Sequence, residues 1–194
     1  QAGRYLPEFR KIRSKNKNFI KLCLNSNLSS KITLQPIERF DLDAAIIFSD
    51  ILIVPHILGQ KVTFTKDNGP NLSPFNSKRF FEYNKINFSH KLKPVYKAIE
   101  TTKKKLSKDK SLISFVGAPW TLIVYMFKLK NKKNQIDFDK LKALETEIEK
   151  TLKKIVEYLC LHILNQIKAG ADTVQIFDSW AGLIPKKKLF DYCY

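Results

Sequence analysis

A chain of 194 residues can bury one sizeable core, but it is short of the roughly 250 residues of a closed (β/α)8 barrel. Its 35 lysines and arginines against 18 acids leave a formal charge of +17, while 3 widely spaced cysteines without a C-x-x-C pair argue against a disulfide framework or a zinc site. The longest apolar stretch, Ala44 to Leu58, is broken by Ser49, Asp50, Pro55 and His56. That excludes a membrane span of about 20 residues, so a soluble protein of a reducing cytoplasm is expected.

The opening Gln1-Ala2-Gly3-Arg4 lacks the basic-then-apolar order of a secretory leader and reads as an interior segment. From Asn25 a Ser/Asn-rich entry leads into a helix carrying Ile32, Leu34, Ile37 and Phe40. Ala44-Ala45-Ile46-Ile47-Phe48 follows, a short apolar run that stops at Ser49-Asp50. Lys61 to Thr65 alternates like a strand before the turn Asp67-Asn68-Gly69-Pro70, and residues 71–90 read as loop. A helix is predicted from Pro94 to Leu106, with Val95, Ala98 and Ile99 on its apolar face. It leads to the second apolar run, Leu112 to Val116, which stops at Gly117-Ala118-Pro119-Trp120. Trp120 to Met126 is helical, capped by Pro119 and Thr121, and a long pattern from Asp139 to Lys168 carries Leu141, Leu144, Ile148, Leu152, Ile155, Leu159 and Ile163 at helical spacing. Gly170 is a natural cap, and the third run, Thr173 to Phe177, stops at Asp178-Ser179. Asp191 to Tyr194 again reads as helix.

Short runs rich in β-branched and aromatic residues, apolar on both faces and alternating with helices, belong to parallel sheets. The expected fold class is α/β, a (β/α)8 TIM-type barrel that is incomplete in this chain, with residues 1–194 as a single partial domain. Side chains at the carboxyl edge of such strands line the ligand site, which singles out Asp50 and Ser179. The excess charge is mostly lysine in short runs (Lys103-Lys104-Lys105, Lys128 to Lys133, Lys186-Lys187-Lys188) and reads first as a bias of solvated faces. A nucleic-acid module would interleave arginines with base-stacking aromatics or show a docking motif, and neither is present, so no nucleic-acid partner is expected. A small polycarboxylate partner accounts for part of the same charge. His56, His90 and His162 have no ligand spacing and read as structural or exposed, so no metal is expected.

Four blocks in order are more specific: Gln1-Ala2-Gly3-Arg4-Tyr5-Leu6-Pro7-Glu8-Phe9-Arg10, the segment Leu42 to Leu52, Gly117 to Leu122 with Tyr125-Met126, and Gln175-Ile176-Phe177-Asp178-Ser179-Trp180-Ala181-Gly182. Together they closely resemble the uroporphyrinogen decarboxylase family over essentially the whole chain, as the first half or slightly more of a longer enzyme. The resemblance implies a cofactor-free carboxy-lyase on a (β/α)8 barrel, a homodimer when full length. Its reaction converts the four acetate side chains of uroporphyrinogen III to methyls, giving coproporphyrinogen III, in haem biosynthesis. Roles come with the resemblance. Asp50 matches the anion beneath the macrocycle, which stabilises a protonated pyrrole and accepts hydrogen bonds from its N–H groups. Arg4 matches an arginine that binds substrate carboxylates, a task suited to a planar guanidinium. Arg13, with Gln1 and Ala2 through their backbone, matches further substrate contacts, and Tyr125 and Ser179 match a tyrosine and a serine that hydrogen-bond the substrate.

Each of these residues also has a plainer reading. An Asp after a strand commonly caps the next turn, and Ser179 is equally suited to cap the helix that follows it. Tyr125 on an apolar helix fits an ordinary amphipathic core position, and an isolated arginine is more often solvated. Arg10 reads as a salt-bridge partner for Glu8 or another acid, while Phe48, Trp120, Phe177 and Trp180 read as core or pocket wall. The family's arginine directly before Gln1 and its histidine in the C-terminal part lie outside this sequence. Ile57 stands where a smaller residue is usual, and the family's glycine-rich stretch after Met126 is here Phe127-Lys128-Leu129-Lys130-Asn131-Lys132-Lys133. The alternative on the same architecture is a corrinoid-linked methyltransferase, which uses zinc ligands to activate a thiol. The blocks around Arg4 and Ser179 favour the decarboxylase.

Overall fold

The computed structural model describes residues 2–65, 69–131, 133–184 and 188–193. After a 3-10 turn (Ala2–Tyr5) come α1 (Pro7–Lys15), α2 (Phe19–Cys23), α3 (Ser26–Arg39), β1 (Ala44–Ile46), α4 (Ile53–Ile57), β2 (Val62–Thr65), β3 (Gly69–Leu72), α5 (Ser77–Glu82) and α6 (Lys85–Lys105). They are followed by β4 (Ser111–Gly117), α7 (Pro119–Met126), α8 (Phe138–Ala143), α9 (Glu145–Lys168), β5 (Thr173–Phe177), a second 3-10 turn (Ala181–Leu183) and α10 (Leu189–Cys193). Short polar side chains start many of the helices. Asn18, Asn25, Asn76, Asn84 and Asp137 each accept a hydrogen bond from the backbone N–H of the third residue on, satisfying a donor that helix geometry leaves unpaired.

These caps explain where the segment 71–90 departs from its reading as loop. Asn76 starts α5 and Asn84 starts α6, so the helix expected from Pro94 begins at Lys85 and carries Pro94 in its interior. A stripe of Phe88, Leu92, Val95, Ala98, Ile99 and Thr102, all buried, lies on both sides of the proline and offsets the lost N–H donor. The long pattern expected from Asp139 is in fact two helices, α8 and α9, which part at Leu144 where the backbone sits at φ −108° and ψ 8°.

The three apolar runs form one parallel sheet in the order β1-β4-β5, with Ala45 opposite Leu112 and Phe115 opposite Gln175. β4 is the central strand, and its Leu112 and Val116 are buried, as are Ala45 and Ile47 beside it. β5 departs from the expectation of a strand buried on both faces. Ile176 and Phe177 keep 52% and 40% of their surface exposed, because β4 and α9 cover only part of the strand and no other described element closes over the rest. The hairpin β2-β3 stands apart, antiparallel, with Val62 opposite Leu72.

Two glycines are required by geometry. Gly170 ends α9 with φ +104°, a conformation costly for any residue with a Cβ. At Gly117 a Cβ would stand 2.8 Å from Leu122 of α7 and 3.1 Å from Ile51 in the turn after β1, so only glycine lets the end of β4 approach both. The opposite edge of the sheet is tied for stability: Asp172 accepts from Leu112 N at 2.7 Å and pairs with Lys103 at 2.6 Å. What results is an α/β fold whose parallel strands all point their carboxyl ends at one region.

Candidate active site

The strand ends bring Asp50, Gly117 and Asp178-Ser179 to one edge. The register is carried past the strands themselves, since Ile47 N donates to Ile113 O at 2.9 Å and Ala118 N to Phe177 O at 2.8 Å. A groove of about 840 Å³ elsewhere is lined by Tyr96, Lys97 and Glu100 of α6, with Lys168 at the end of α9. It lies along the outer helical layer, whereas ligands of parallel sheets bind outside the carboxyl ends of the strands.

Asp50 does serve as a turn residue, but with only one oxygen. Its Oδ1 accepts the Leu52 N–H at 2.9 Å, and no described residue donates a hydrogen bond to Oδ2. Burial pushes its carboxyl above the ordinary value, while the Leu52 N–H and the positive charge of Arg4 pull it back. Cys23, buried at the end of α2, reports the same field. Its thiol is pushed up first by burial and then by the negative charge of Asp50, with Arg4 and Arg13 acting the other way. Asp50, Arg4, Arg13 and Cys23 therefore lie within electrostatic reach of one another.

The two arginines share one aromatic ring. The guanidinium carbon of Arg4 sits 5.5 Å and that of Arg13 5.6 Å from the Phe19 centroid. Phe19 in turn meets Phe64 at 4.7 Å and Phe48, the residue that ends the first run, at 5.8 Å. Arg13 is half-buried, and its Nη1 donates to the carbonyls of Asn16 at 2.6 Å and Lys17 at 2.8 Å, closing the end of α1. Arg4 is exposed, on the 3-10 turn that also holds the backbone of Ala2. Gln1 lies outside the described residues. Arg10 does not pair with Glu8 as expected: Arg39 takes that carboxylate at 3.1 Å, reaching it from the end of α3.

Tyr125 is half-buried on α7. Burial raises its phenol above the ordinary value, the charge of Asp50 raises it further, and the nearby Trp180 indole N–H, which makes no hydrogen bond of ordinary geometry, pulls it back. The Trp180 ring packs edge-on against Tyr125 at 5.9 Å. Ser179 is exposed in the turn after β5. That turn is clamped from α7: Thr121, fully buried, donates its hydroxyl to Asp178 Oδ1 at 2.6 Å and accepts the Trp180 N–H at 3.1 Å, while Trp120 Nε1 donates to Trp180 O at 3.0 Å. Thr121, expected only as a cap of α7, does not cap it, since the N-cap position is Ala118 and the Thr121 hydroxyl turns to Asp178 and Trp180 instead; Cys23 and Phe19 were not expected at the site. Thr121 sits inside a matched block, but its partnership with Asp178 crosses 57 residues and leaves no local pattern. Among the described residues no group of three or more His, Cys, Asp or Glu could hold a metal ion, and no helix is long and apolar enough to cross a membrane.

The profile of the uroporphyrinogen decarboxylase (URO-D) family matches residues 1–194. The uroporphyrinogen decarboxylase of Rickettsia conorii is 44% identical over 196 residues, covering 99% of this chain and 56% of that protein. The Rickettsia bellii protein of the same name is 43% identical over 192 residues, with 97% and 56% covered. The chain thus spans just over half the length of these curated relatives. Among solved structures, a methyltransferase from Methanosarcina mazei superposes with a TM-score of 0.67 over 94% of this chain and 55% of that one, at 16% identity, a likeness of fold alone. With the profile running from the first residue to the last, and the blocks it matches folded onto one strand edge, the chain belongs to the uroporphyrinogen decarboxylase family.

Proposed function

We propose that the full-length protein is a carboxy-lyase that converts the four acetate side chains of uroporphyrinogen III to methyls, releasing one CO2 for each and giving coproporphyrinogen III. The observation that carries this reading is the placement of Asp50: a half-buried carboxylate beyond a strand's carboxyl end, one oxygen uncommitted, with Arg4 and Tyr125 inside its field. Protonation of the pyrrole carbon that neighbours an acetate makes the ring cationic. The electron pair of the breaking C–C bond then flows into that ring as CO2 leaves; a second proton on the remaining methylene makes the methyl, and loss of the first proton from the ring carbon restores the pyrrole. One acetate carboxylate has been replaced by hydrogen, with CO2 as the only other product and one proton consumed overall. An anion fixed under the ring stabilises the cationic intermediate without itself reacting, and desolvation makes that attraction stronger than it would be in water. The arriving N–H donors and positive charge also favour the ionised form of Asp50, against the burial that opposes it.

Arg4 is assigned to substrate carboxylates, with Arg13, Gln1 and Ala2 as further contacts, and Tyr125 and Ser179 as hydrogen-bonding groups. The same reading takes residues 1–194 as the N-terminal part of a single (β/α)8 barrel domain, acting without a cofactor, as a homodimer, in the cytoplasm. The exposed Ile176 and Phe177 of β5 support further strands beside it. The methyltransferase alternative has only the likeness of fold behind it.

Asp50→Asn tests the centre of the proposal, because the amide keeps an oxygen for the Leu52 N–H and removes only the charge. Turnover in the full-length protein should fall about 100- to 1,000-fold, the scale on which one preorganised electrostatic group acts. The fold should not suffer. A carboxyl whose folded-state value lies above its unfolded one contributes stability only at low pH and loses it as pH rises through the folded value, so at neutral pH the charge opposes folding. Near-normal coproporphyrinogen production by this variant removes Asp50 from the mechanism.

A further inference from the structure

The segment after α7, where lysines replace the glycines usual in the family, has a fixed shape. Leu129 N donates to Val124 O at 3.0 Å, Asp137 N to Leu129 O at 2.8 Å and Asn131 N to Gln135 O at 2.9 Å. Lys130 forms an antiparallel bridge with Ile136, and Asn131 Oδ1 accepts the N–H groups of Lys133 and Gln135. Leu129 and Ile136 are buried, which leaves Lys130 half-buried on a rigid support.

Its ammonium stands 3.6 Å from the centroid of Trp180, over the face of the indole whose edge meets Tyr125. The neighbouring lysines are used locally: Lys128 Nζ reaches Asn71 Oδ1 at 3.3 Å and Lys140 Nζ reaches Lys128 O at 3.2 Å. Lys130 is different. No described residue accepts a hydrogen bond from it or forms an ion pair with it, and burial lowers its pKa. A ring face attracts an ammonium from one side only, so its N–H donors remain available to an anion.

We infer that Lys130 grips a side-chain carboxylate of the substrate on the Trp180 side of the site. The inference rests on the decarboxylase reading and extends it to a residue that the family resemblance does not assign. Geometry gives the reason for a cation here. Arg4 and Arg13 flank the β1 end of the strand row, and Trp180 follows β5 at the other end, two strand spacings or about 10 Å away. A macrocycle bearing carboxylates around its rim, laid across the strand ends with its pyrroles towards Asp50, brings acid groups to both flanks. Lys130 supplies the positive charge on the second flank, and the indole beneath it fixes its direction.

The test uses the full-length protein and the conversion of uroporphyrinogen III to coproporphyrinogen. Lys130→Met keeps the aliphatic stem on the indole and removes the charge. KM should rise about tenfold, with kcat within about twofold, and the gap should narrow as salt screens the pair. Lys130→Arg should return KM to within about twofold of the parent. A lowered melting temperature with unmoved KM in Lys130→Met would mean that Lys130 only props Trp180, and overturns the inference. If the Met variant fails to fold, Lys130→Gln is read by the same KM criterion. A parent protein that converts no uroporphyrinogen defeats the decarboxylase reading and this inference with it, whereas normal parent turnover with unmoved KM defeats the role of Lys130 alone.

Discussion

Thr121→Val removes one oxygen from the centre of the clamp that presents Ser179 and Trp180. The hydroxyl of Thr121 donates to a carboxylate at 2.6 Å and accepts a backbone N–H at 3.1 Å, and the residue has no exposed surface. A hydrogen bond to a charged acceptor contributes about 1.5–3 kcal/mol and a neutral one about 1 kcal/mol, and valine fills nearly the same volume, so no cavity is added. Because both bonds pass through one atom they do not add fully, and the loss should be about 2–4 kcal/mol. Denaturant unfolding of the full-length protein at neutral pH, followed by tryptophan fluorescence, measures it, since Trp120 and Trp180 both hydrogen-bond or pack within the clamp. Thr121→Ser keeps the oxygen and should recover all but the contribution of one methyl, about 1 kcal/mol. Turnover should track the same series, because the clamp sets the position of the strand-end turn. A Val variant within about 0.5 kcal/mol of the parent, with an unchanged denaturant slope, refutes the reasoning.

His162 is fully buried against Phe88 and bonded at Nδ1 to the Tyr96 hydroxyl at 3.1 Å, and burial lowers its pKa to about 3. The folded state therefore holds it neutral where the unfolded chain, at about 6.5, would bind a proton, so stability should fall as pH drops from about 6.5 towards 3, by up to about 1.4 kcal/mol per pH unit. His162→Asn should flatten that limb of the unfolding free energy measured against pH, and an identical slope in both proteins would remove the assignment. Cys23 is buried with its thiol pushed up, whereas Cys160 is exposed on α9. Iodoacetamide at about pH 8 should label Cys160 and spare Cys23 until denaturant is added, as read by peptide mass, because the thiolate is the reacting form.

The strands were legible because their signal is local. Three runs of apolar residues ending at polar clusters became β1, β4 and β5, and the last matches Thr173 to Phe177 residue for residue. Helix starts in the middle of the chain were harder. Asn76 and Asn84 are cap residues by type, but the apolar residues around them give no clean period: Phe80 and Phe88 enter the core whereas Phe81 and Ile86 stay exposed, which only the folded structure distinguishes. Pro94 misled in a specific way. Proline at a helix start and proline inside a helix held by tertiary packing look alike in one dimension, and only the buried stripe on both sides of Pro94 decides between them.

The site divides along the same line between local and distant causes. Asp50 and Ser179 stand out because a strand end is a local feature, and the matched blocks add Arg4 and Tyr125. What no block contains is the field that joins them. The desolvation of Asp50 depends on elements around β1, the two arginines are oriented by a ring on α2, and Lys130 meets Trp180 across a separation of 50 residues. The order of the strands explains why these contacts converge. With β4 between β1 and β5, Asp50 follows β1 on the same side as the arginines near Phe19, Tyr125 lies on the helix that follows β4, and Trp180 with Lys130 lies beyond β5, so cations stand at both ends of the strand row. Under the proposed reading a polycarboxylate macrocycle fits that arrangement for an electrostatic reason: the anion attracts the charge created by protonation, and cations at the two flanks hold the rim acids. Either half alone would then fail. Without the flanking cations the anion would repel the proposed eight-carboxylate substrate, and without the anion the cations would bind it and leave its protonated ring unstabilised.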